Sequence, residues 1–402
     1  MATKNPDYMT AKETAEAWGV TRRYVNLCIE DGRIPGVMKI GNMWMIPKNT
    51  RKPVGKREGK TPENPLSSDL AHVLRSVPTS VPRNNPDSVM ETVSEERFGQ
   101  ILKATFAYAR GDYERTISCF HKLEGDDAAK LCACPVTIAA AVSTGNYPLF
   151  TEIEAYLKEL VRANISDDVT ACAEQSLASG YLGALAPAMV PDWLKNGDFA
   201  VLPPEAKPDA LYKRAYYFYC IGKYESMLAV AQTALAVYDS GQDISLTRLY
   251  LRLMCALALY ALEQIDEARR YLLCAMRIYL PVGFTTPFAE LVLNFCGLME
   301  QCLEKEFPAH YNAVTAQWKH VVPNWQAFHN RFTKDNITSI LSRRDYEMAI
   351  LAAQGLPYAE IAKQFNVSVG RLSNIMREIY EKLFINGKKE LADFVVISSQ
   401  KT

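Results

Sequence analysis

A six-residue phrase recurs through the middle of the chain and restricts that region to paired helices. It reads GDYERT at 111–116, GNYPLF at 145–150, GKYESM at 222–227 and, in a degraded form, EQIDEA at 263–268. Glycine permits a tight turn between two helices, and the aromatic residue packs beneath that turn. In three copies, small or apolar residues occupy two further positions at helical spacing after the phrase. In the second copy, Glu154 breaks the pattern at the first of these positions and Leu157 keeps it at the second. The conforming pairs are Phe120 and Leu123, Ala231 and Ala234, and Leu272 and Ala275.

This phrase resembles the tetratricopeptide repeat. The first two copies lie 34 residues apart, which is the period of that family, and the next gaps are 77 and 41 residues. We therefore expect a tetratricopeptide-like helical solenoid over residues 95–330, with an irregular pair of helices around 170–193. The alternative is a generic helical bundle with coincidental turns. The repeat implies a concave face for a peptide, protein or small-molecule effector. The tyrosine-rich stretch 212–224 is a candidate lining, and aromatic packing in the core is the competing interpretation.

The C-terminal region has apolar residues at spacings that close a compact helical core. Gly355 ends one predicted helix, and Pro357 suits the first turn of the next. Asn366 can adopt the left-handed turn conformation, and Ser368 is placed to cap a helix from Val369 to about residue 384. The core positions are Ala349, Ile350, Ala353, Ile361, Ala362, Phe365, Val367, Leu372, Ile379 and Leu383.

This region resembles the LuxR/GerE-type helix-turn-helix family over about 55 residues, through LSRRDYEMAILAAQG, AEIAKQFNVS, IYEKL and KKELADFV. The resemblance implies a four-helix domain over residues 335–402 that binds double-stranded DNA. Its outward side chains would be Arg371, Ser373, Asn374 and Arg377, the last three at positions that reach base edges in the family. The family usually has a basic residue where Ser373 stands and histidine where Ile375 stands. A domain kept mainly for dimerisation is the alternative.

A second pattern of two short helices and a hairpin occupies the N-terminus. Thr10 and Glu13 form a capping box that predicts a helix from Ala11, and Gly19 ends it. Thr21 caps a second helix that runs to about residue 31, where Gly32 follows. Val37–Ile40 and Met43–Ile46 are predicted as strands around 41–42.

The run TAKETAEAWGVTRRYV, followed by GRIPG and GNMWMIP, is similar to the excisionase/MerR-like winged helix-turn-helix family. This implies a winged domain over residues 1–50 whose second helix reads the major groove. Val25, Cys28 and Ile29 would face inward, and Trp44 is expected in the core of the wing. The predicted DNA contacts are Arg22, Arg23 and Asn26 on the helix, and Lys39 and Asn42 on the wing.

Residues 51–94 are predicted to be a proline-rich basic linker. Seven of the 21 prolines lie between Pro47 and Pro86, and a basic run extends from Arg51 to Lys60. We expect mostly extended chain there, with a short amphipathic helix around 70–74.

Charge is distributed unevenly although the net charge is zero. Residues 1–60 carry a net charge of +6 and residues 331–402 a net charge of +3, whereas the residues between them carry −9. Basic ends around an acidic middle favour contact between the ends and phosphate.

The sequence contains no motif that predicts an enzyme, a cofactor or a metal site. There is no GxxxxGK[ST] phosphate loop, and the five histidines lack metal-ligand spacing. The acidic pairs 126–127 and 167–168 are expected to be helix caps or loop residues. The ten cysteines lack a pairing motif and are predicted to be reduced. With no signal peptide and no long apolar run, we expect a cytoplasmic protein without a membrane partner.

The sequence predicts a mainly α protein that acts as a DNA-binding transcriptional regulator with a helical sensor in its middle. A homodimer is compatible with this organisation. The alternative function is a helical-repeat interaction adaptor whose terminal modules tether or dimerise.

Overall fold

The chain is mainly α-helical, as predicted, and divides into two compact units, Met1–Glu63 and Asn64–Thr402. The computed structural model describes residues 8–30, 32–41, 43–48, 50, 52, 65–92, 97–238, 243–295, 297–333, 341–383 and 385–391.

The first unit consists of two helices and a small antiparallel sheet. Its elements are β1 Tyr8–Thr10, α1 Ala11–Trp18, α2 Arg22–Glu30, β2 Met38–Ile40 and β3 Met43–Pro47. The predicted capping box is present, because the Glu13 amide donates to Thr10 Oγ1 at 3.3 Å and the Thr10 amide donates to Glu13 Oε2 at 2.9 Å. Gly19 ends α1 in the left-handed conformation with φ of 64°.

The sheet order is β1-β3-β2, so the predicted hairpin is accompanied by a third strand, β1, which was not predicted. Tyr8 pairs with Pro47, and Met38 pairs with Met45. Val25, Cys28 and Ile29 are buried as predicted, and Ile46 completes the core that they form. Trp44 is half-buried and packs against this core.

Residues 65–92 are ordered into helices and a short strand, which corrects the expectation of mostly extended chain. This segment, called the strap below, contains α3 Pro65–Ser76, β4 Val81–Pro82 and α4 Pro86–Thr92. The predicted amphipathic helix around 70–74 is therefore present and longer than expected. Leu70, Val73 and Val81 are buried against the helices that follow. The strand β4 pairs with β5 Asp243–Ile244.

Thirteen helices lie between the strap and the last four helices in the described part of the chain. Most of them form consecutive antiparallel pairs that pack on one another. They are α5 Arg97–Ala109, α6 Tyr113–His121, α7 Asp127–Thr144, α8 Tyr147–Ala163, α9 Asp167–Gly183, α10 Asp192–Asn196, α11 Lys207–Cys220, α12 Tyr224–Tyr238, α13 Leu246–Ala261, α14 Ile265–Tyr279, α15 Thr286–Leu291, α16 Leu298–Glu306 and α17 Pro308–Thr333. Short 3-10 turns occupy Pro187–Met189, Pro204–Ala206, Leu280–Val282 and Val292–Phe295.

Each copy of the six-residue phrase lies at the turn between two paired helices. The four turns join α5 to α6, α7 to α8, α11 to α12, and α13 to α14. The first residue of every phrase has positive φ: 83° at Gly111, 69° at Gly145, 70° at Gly222 and 64° at Glu263. Asp112 and Asn146 cap the helices that follow the first two turns. The phrase therefore predicted the positions of four helical hairpins correctly.

The region between the second and third phrases is irregular, as expected. There α9 is followed by a 3-10 turn and the five-residue α10. Asp126 caps α7 and Asp167 lies in the first turn of α9, which agrees with their expected roles at helix starts.

Four helices end the described chain: α18 Arg343–Ala353, α19 Tyr358–Gln364, α20 Val369–Leu383 and α21 Lys388–Leu391. All ten predicted core positions belong to the apolar cluster between these helices, which also buries Tyr346, Met348 and Met376. Pro357 precedes α19 at its N-cap instead of lying in its first turn, because its ψ of 143° is extended.

In the described residues, none of the helices combines the length and the apolar character needed to cross a membrane.

Candidate nucleic-acid interfaces and an internal cavity

The helix α2 presents two adjacent arginines on the surface of the N-terminal unit. Arg22 and Arg23 form its first turn, and both side chains are exposed. The buried face of the helix, which carries Val25 and Cys28, fixes the side on which these guanidinium groups lie. Two adjacent positive charges on a short helix can meet phosphate or guanine.

The other predicted N-terminal contacts differ in exposure. Asn26 was expected on the surface, but it is half-buried and its Oδ1 atom is buried without a hydrogen-bond partner among the described residues. Lys39 is exposed, with its Nζ atom 5.2 Å from the centre of the Trp44 ring. Asn42 lies outside the described residues.

The helix α20 has one buried and one polar face. Asn366 adopts φ of 50° in the turn before it, and the Arg371 amide donates to Ser368 Oγ at 3.2 Å, so both turn predictions are confirmed. The buried face carries Leu372, Met376, Ile379 and Leu383. The exposed face carries Arg371, Ser373, Asn374 and Arg377, which were predicted to point outward.

Contacts within α20 decide what each polar group can offer a partner. The Ser373 hydroxyl donates to the Val369 carbonyl at 3.0 Å, which leaves only its lone pairs outward. Arg377 Nη2 donates to Asn374 Oδ1 at 3.4 Å, so these two side chains act as a pair. Ile375 is half-buried against the apolar cluster, which gives a packing reason for an apolar residue there.

Two contacts that sequence reasoning missed join the last four helices to the preceding ones. His329 of α17 is buried, with Nδ1 2.8 Å from the Ala184 carbonyl and Nε2 3.2 Å from the Tyr346 hydroxyl of α18. Lys363 of α19 pairs with Glu263 at 2.8 Å. The partners in these contacts are separated in the sequence and form no recognisable motif, so local sequence patterns could not predict them.

A cavity of about 340 Å³ lies among the helices of the second unit. Its wall comes from α5, α7, α9, α11 and α13, and no described residue of α6, α8, α12 or α14 lines it. Thus the first helix of each phrase-marked hairpin faces the cavity and the second lies behind it. The strap contributes Leu70 and Leu74, and α17 contributes Val321 and Trp325. This volume lies within the range of about 300–1,000 Å³ that is typical of ligand sites.

Polar side chains enter this mostly apolar wall from α9 and α11. Gln175 Nε2 donates to the Ala206 carbonyl at 3.1 Å and to Asp209 Oδ2 at 2.7 Å. Because both partners are acceptors, the amide orientation is fixed and Gln175 Oε1 is the remaining acceptor. Neither Gln175 Oε1 nor Ser179 Oγ, one helical turn later, has a hydrogen-bond partner in the described structure. Lys213 is 2% exposed and pairs with Asp209.

A second polar group and several aromatic rings lie on another part of the wall. Glu290 accepts hydrogen bonds from the hydroxyls of Tyr108 and Tyr250, the latter at 2.7 Å. The Tyr212 ring stacks on Tyr250 with centres 4.8 Å apart. Burial raises the pKa of the Tyr212 hydroxyl well above its usual value, so this group stays neutral. From the tyrosine-rich stretch, Tyr212 and Tyr216 line the cavity, whereas Tyr217, Tyr219 and Tyr224 do not.

The cavity wall carries no activated thiol. The nine cysteines that the structure describes form no disulfide. Burial raises the pKa of Cys172 to about 12, and that of Cys132 still further, so both thiols of the wall stay protonated and unreactive. Among the described residues there is no group of His, Cys, Asp or Glu side chains that could hold a metal ion.

Comparison with models of known protein families, with curated proteins and with solved structures finds no match to this chain.

Proposed function

We propose that this chain is a DNA-binding transcriptional regulator with a ligand sensor in its middle. In this proposal, residues 1–50 form an excisionase/MerR-like winged helix-turn-helix, and residues 335–402 form a LuxR-type helix-turn-helix. The helices between residues 95 and 330 form a tetratricopeptide-like solenoid, whose inner helices enclose the cavity.

The observation that carries this proposal is the polar face of α20. Arg371, Asn374 and Arg377 are exposed on one side, while Leu372 and Met376 hold the other side on a compact core. A recognition helix needs this division, because it must be rigid on one side and present donors and acceptors to base edges on the other. The paired arginines of α2 supply a second surface of the same kind.

Charge supports the same function. The ends carry net charges of +6 and +3, and the residues between them carry −9. Phosphate therefore attracts the ends of the chain and is repelled by its middle.

Contacts within the second unit offer a route from the cavity to the C-terminal helices. Trp325 lines the cavity, and its Nε1 donates to the Gly183 carbonyl at 2.6 Å. One turn later on α17, the His329 ring lies 5.5 Å from Trp325 and contacts Tyr346 of α18. In the proposed mechanism, a ligand that shifts Trp325 displaces α18 through His329 and so changes the presentation of α20.

Salt-dependent binding of the full chain to a random-sequence DNA duplex tests the proposal. Fluorescence anisotropy over a range of salt concentrations should give an affinity that falls steeply as salt rises. Arg22→Ala with Arg23→Ala should lower the slope of log affinity against log salt by about 2, one for each lost phosphate contact. The control is Lys122→Ala with Arg162→Ala, which removes two exposed charges from the helical middle.

The control variant should bind DNA as the wild type does. The proposed regulator function would be excluded if the control weakened DNA binding as much as the Arg22 and Arg23 variant. It would also be excluded if the wild type bound no DNA at low salt. The second result would favour the interaction adaptor, whose terminal modules only tether or dimerise.

A further inference from the structure

The cavity wall holds a buried hydrogen-bond acceptor that no described donor reaches. Gln175 is 95% buried, since its exposed fraction is 5%, and its unpartnered Oε1 can only accept a hydrogen bond. An acceptor left without a hydrogen bond in the interior is unfavourable, so a bound molecule that donates to it gains affinity relative to one that does not. The Ser179 hydroxyl lies beside it, one turn along α9, and also has no hydrogen-bond partner among the described residues.

The charge of the wall is negative. Its charged side chains are Glu205, Asp209, Lys213 and Glu290, which are three carboxylates and one ammonium group. The ammonium group of Lys213 is already bound to Asp209. This imbalance favours a cation over an anion in the cavity.

Aromatic rings make up the surface that connects the two polar groups. Asp209, Tyr212, Lys213 and Tyr216 share one face of α11, because their spacings of three and four residues match the helical repeat. Tyr212 stacks on Tyr250, whose hydroxyl donates to Glu290. These rings therefore connect the polar side chains of α9, Gln175 and Ser179, with the carboxylate of Glu290. Faces of tyrosine and tryptophan rings attract cations and also bury apolar groups.

We infer that the cavity binds an amphipathic organic amine: an apolar body with a protonated nitrogen that carries at least one N–H. The N–H donates to Gln175 Oε1, the wall carboxylates balance the positive charge, and the apolar body fills the space between Leu70, Phe106 and Trp325. This inference rests on the proposed function, because it names the ligand class of the cavity treated there as the sensor.

Isothermal titration calorimetry of the full chain with four octyl probes tests this inference in the absence of DNA. The probes are octylamine, octyltrimethylammonium, octanol and octanoate, which share a tail and differ in charge and in N–H donors. Octylamine should bind at least about tenfold more tightly than octanoate, because an ammonium group can donate a charge-assisted hydrogen bond to the wall and a carboxylate cannot. Octylamine should also bind more tightly than octyltrimethylammonium, which carries the positive charge but has no N–H group.

Two carboxylate variants separate charge in the wall from charge elsewhere. Glu290→Gln keeps the shape of the side chain and should weaken octylamine binding about tenfold, while octanol affinity stays the same. Glu152→Gln makes the same change at an exposed position of α8 outside the cavity and should change neither affinity. Circular dichroism of both variants should match the wild type.

Equal or tighter binding of octanoate would overturn the inference, as would unchanged octylamine affinity in Glu290→Gln. Equal affinity for octyltrimethylammonium would overturn the N–H requirement and with it the role of Gln175. These outcomes are independent of the DNA titration. A chain that binds DNA but not octylamine contradicts the ligand class alone, and a chain that binds octylamine but not DNA contradicts the regulator alone.

Discussion

At the residue scale, single backbone conformations determine where the helical hairpins turn. Gly222 adopts φ of 70° between α11 and α12, and a Cβ atom built there meets no atom within 4 Å. Glycine is therefore favoured at this position by its backbone conformation and not by a lack of space for a side chain. Glu263 adopts the same conformation without being glycine, with φ of 64°, which explains how the fourth phrase can lack glycine and still turn.

Gly222→Ala should destabilise the second unit by about 1–2 kcal/mol, which is the cost of the left-handed conformation for a residue with a Cβ atom. Gly370→Ala is the matched control, since it also has open space but lies in the first turn of α20. There alanine should be neutral or stabilise by up to about 1 kcal/mol. Urea unfolding of both variants gives the two free energies, and a loss of stability in both would contradict the assignment.

Some residues of the candidate sites could be predicted from the sequence, and others could not. Arg22, Arg23, Arg371, Asn374 and Arg377 were predictable because helical periodicity alone places them opposite apolar positions. The cavity residues come from helices far apart in sequence, so their juxtaposition depends on tertiary packing. The buried Oδ1 of Asn26 was missed because periodicity gives the direction of a residue and not the depth of its surroundings.

At the element scale, the strap departs most from what its composition predicts. Prolines at 65, 78, 82 and 86 suggested extended chain, but they lie at the boundaries of α3, β4 and α4. Proline is well tolerated in the first turn of a helix and at the edge of a sheet. Between them, Leu70 and Val73 at helical spacing supply the buried face that fixes α3.

Leu70→Ala should cost about 2–5 kcal/mol of stability if the strap unfolds together with the helices beneath it. Leu70 is 1% exposed, so its truncation removes packing that holds the strap on the helices. Limited proteolysis should therefore cut residues 65–92 faster in this variant than in the wild type. Arg75→Ala, on the exposed side of α3, is the control and should leave the cleavage rate unchanged. Equal rates in all three proteins would show that the strap is not held by its apolar face.

The strap is also held by charge. Asp69 Oδ1 and Oδ2 accept from Arg97 at 2.9 and 2.7 Å, and these hydrogen bonds hold the pKa of Asp69 below its usual value of 3.8. A carboxyl whose pKa is lowered on folding stabilises the folded state above its unfolded pKa and loses that effect as pH falls. Asp69→Asn should therefore lower stability at pH 5–7 by no more than about 1 kcal/mol, since the Asp69 side chain is 40% exposed and solvent screens its ion pair.

The stability difference between wild type and Asp69→Asn should shrink as pH falls below 3.8. Chemical unfolding at a series of pH values measures it, with Asp192→Asn as a control because that side chain is 88% exposed in its ion pair. A difference that grew on acidification would give the wrong sign for a lowered pKa.

At the scale of the whole molecule, the first helices of the hairpins line a cavity, and the polar helices α2 and α20 belong to the two ends of the chain. Local sequence patterns predicted the helices near both ends of the chain and the helical hairpins, because capping, turn and core signals are local. The cavity and the contact between His329 and Tyr346 are long-range features that local patterns cannot predict. In the proposed function, the middle of the chain is the sensor and the DNA-binding modules at its two ends are the outputs.

Selection of binding sites from a random DNA library by the full chain tests the DNA-reading role of both ends. The wild type should enrich a defined sequence, and Asn374→Ala with Arg377→Ala should relax selection at some of its positions. Arg22→Ala with Arg23→Ala should relax it at others. A wild type that enriches no sequence at any salt concentration, or double variants that select the same sequence as the wild type, would contradict this role.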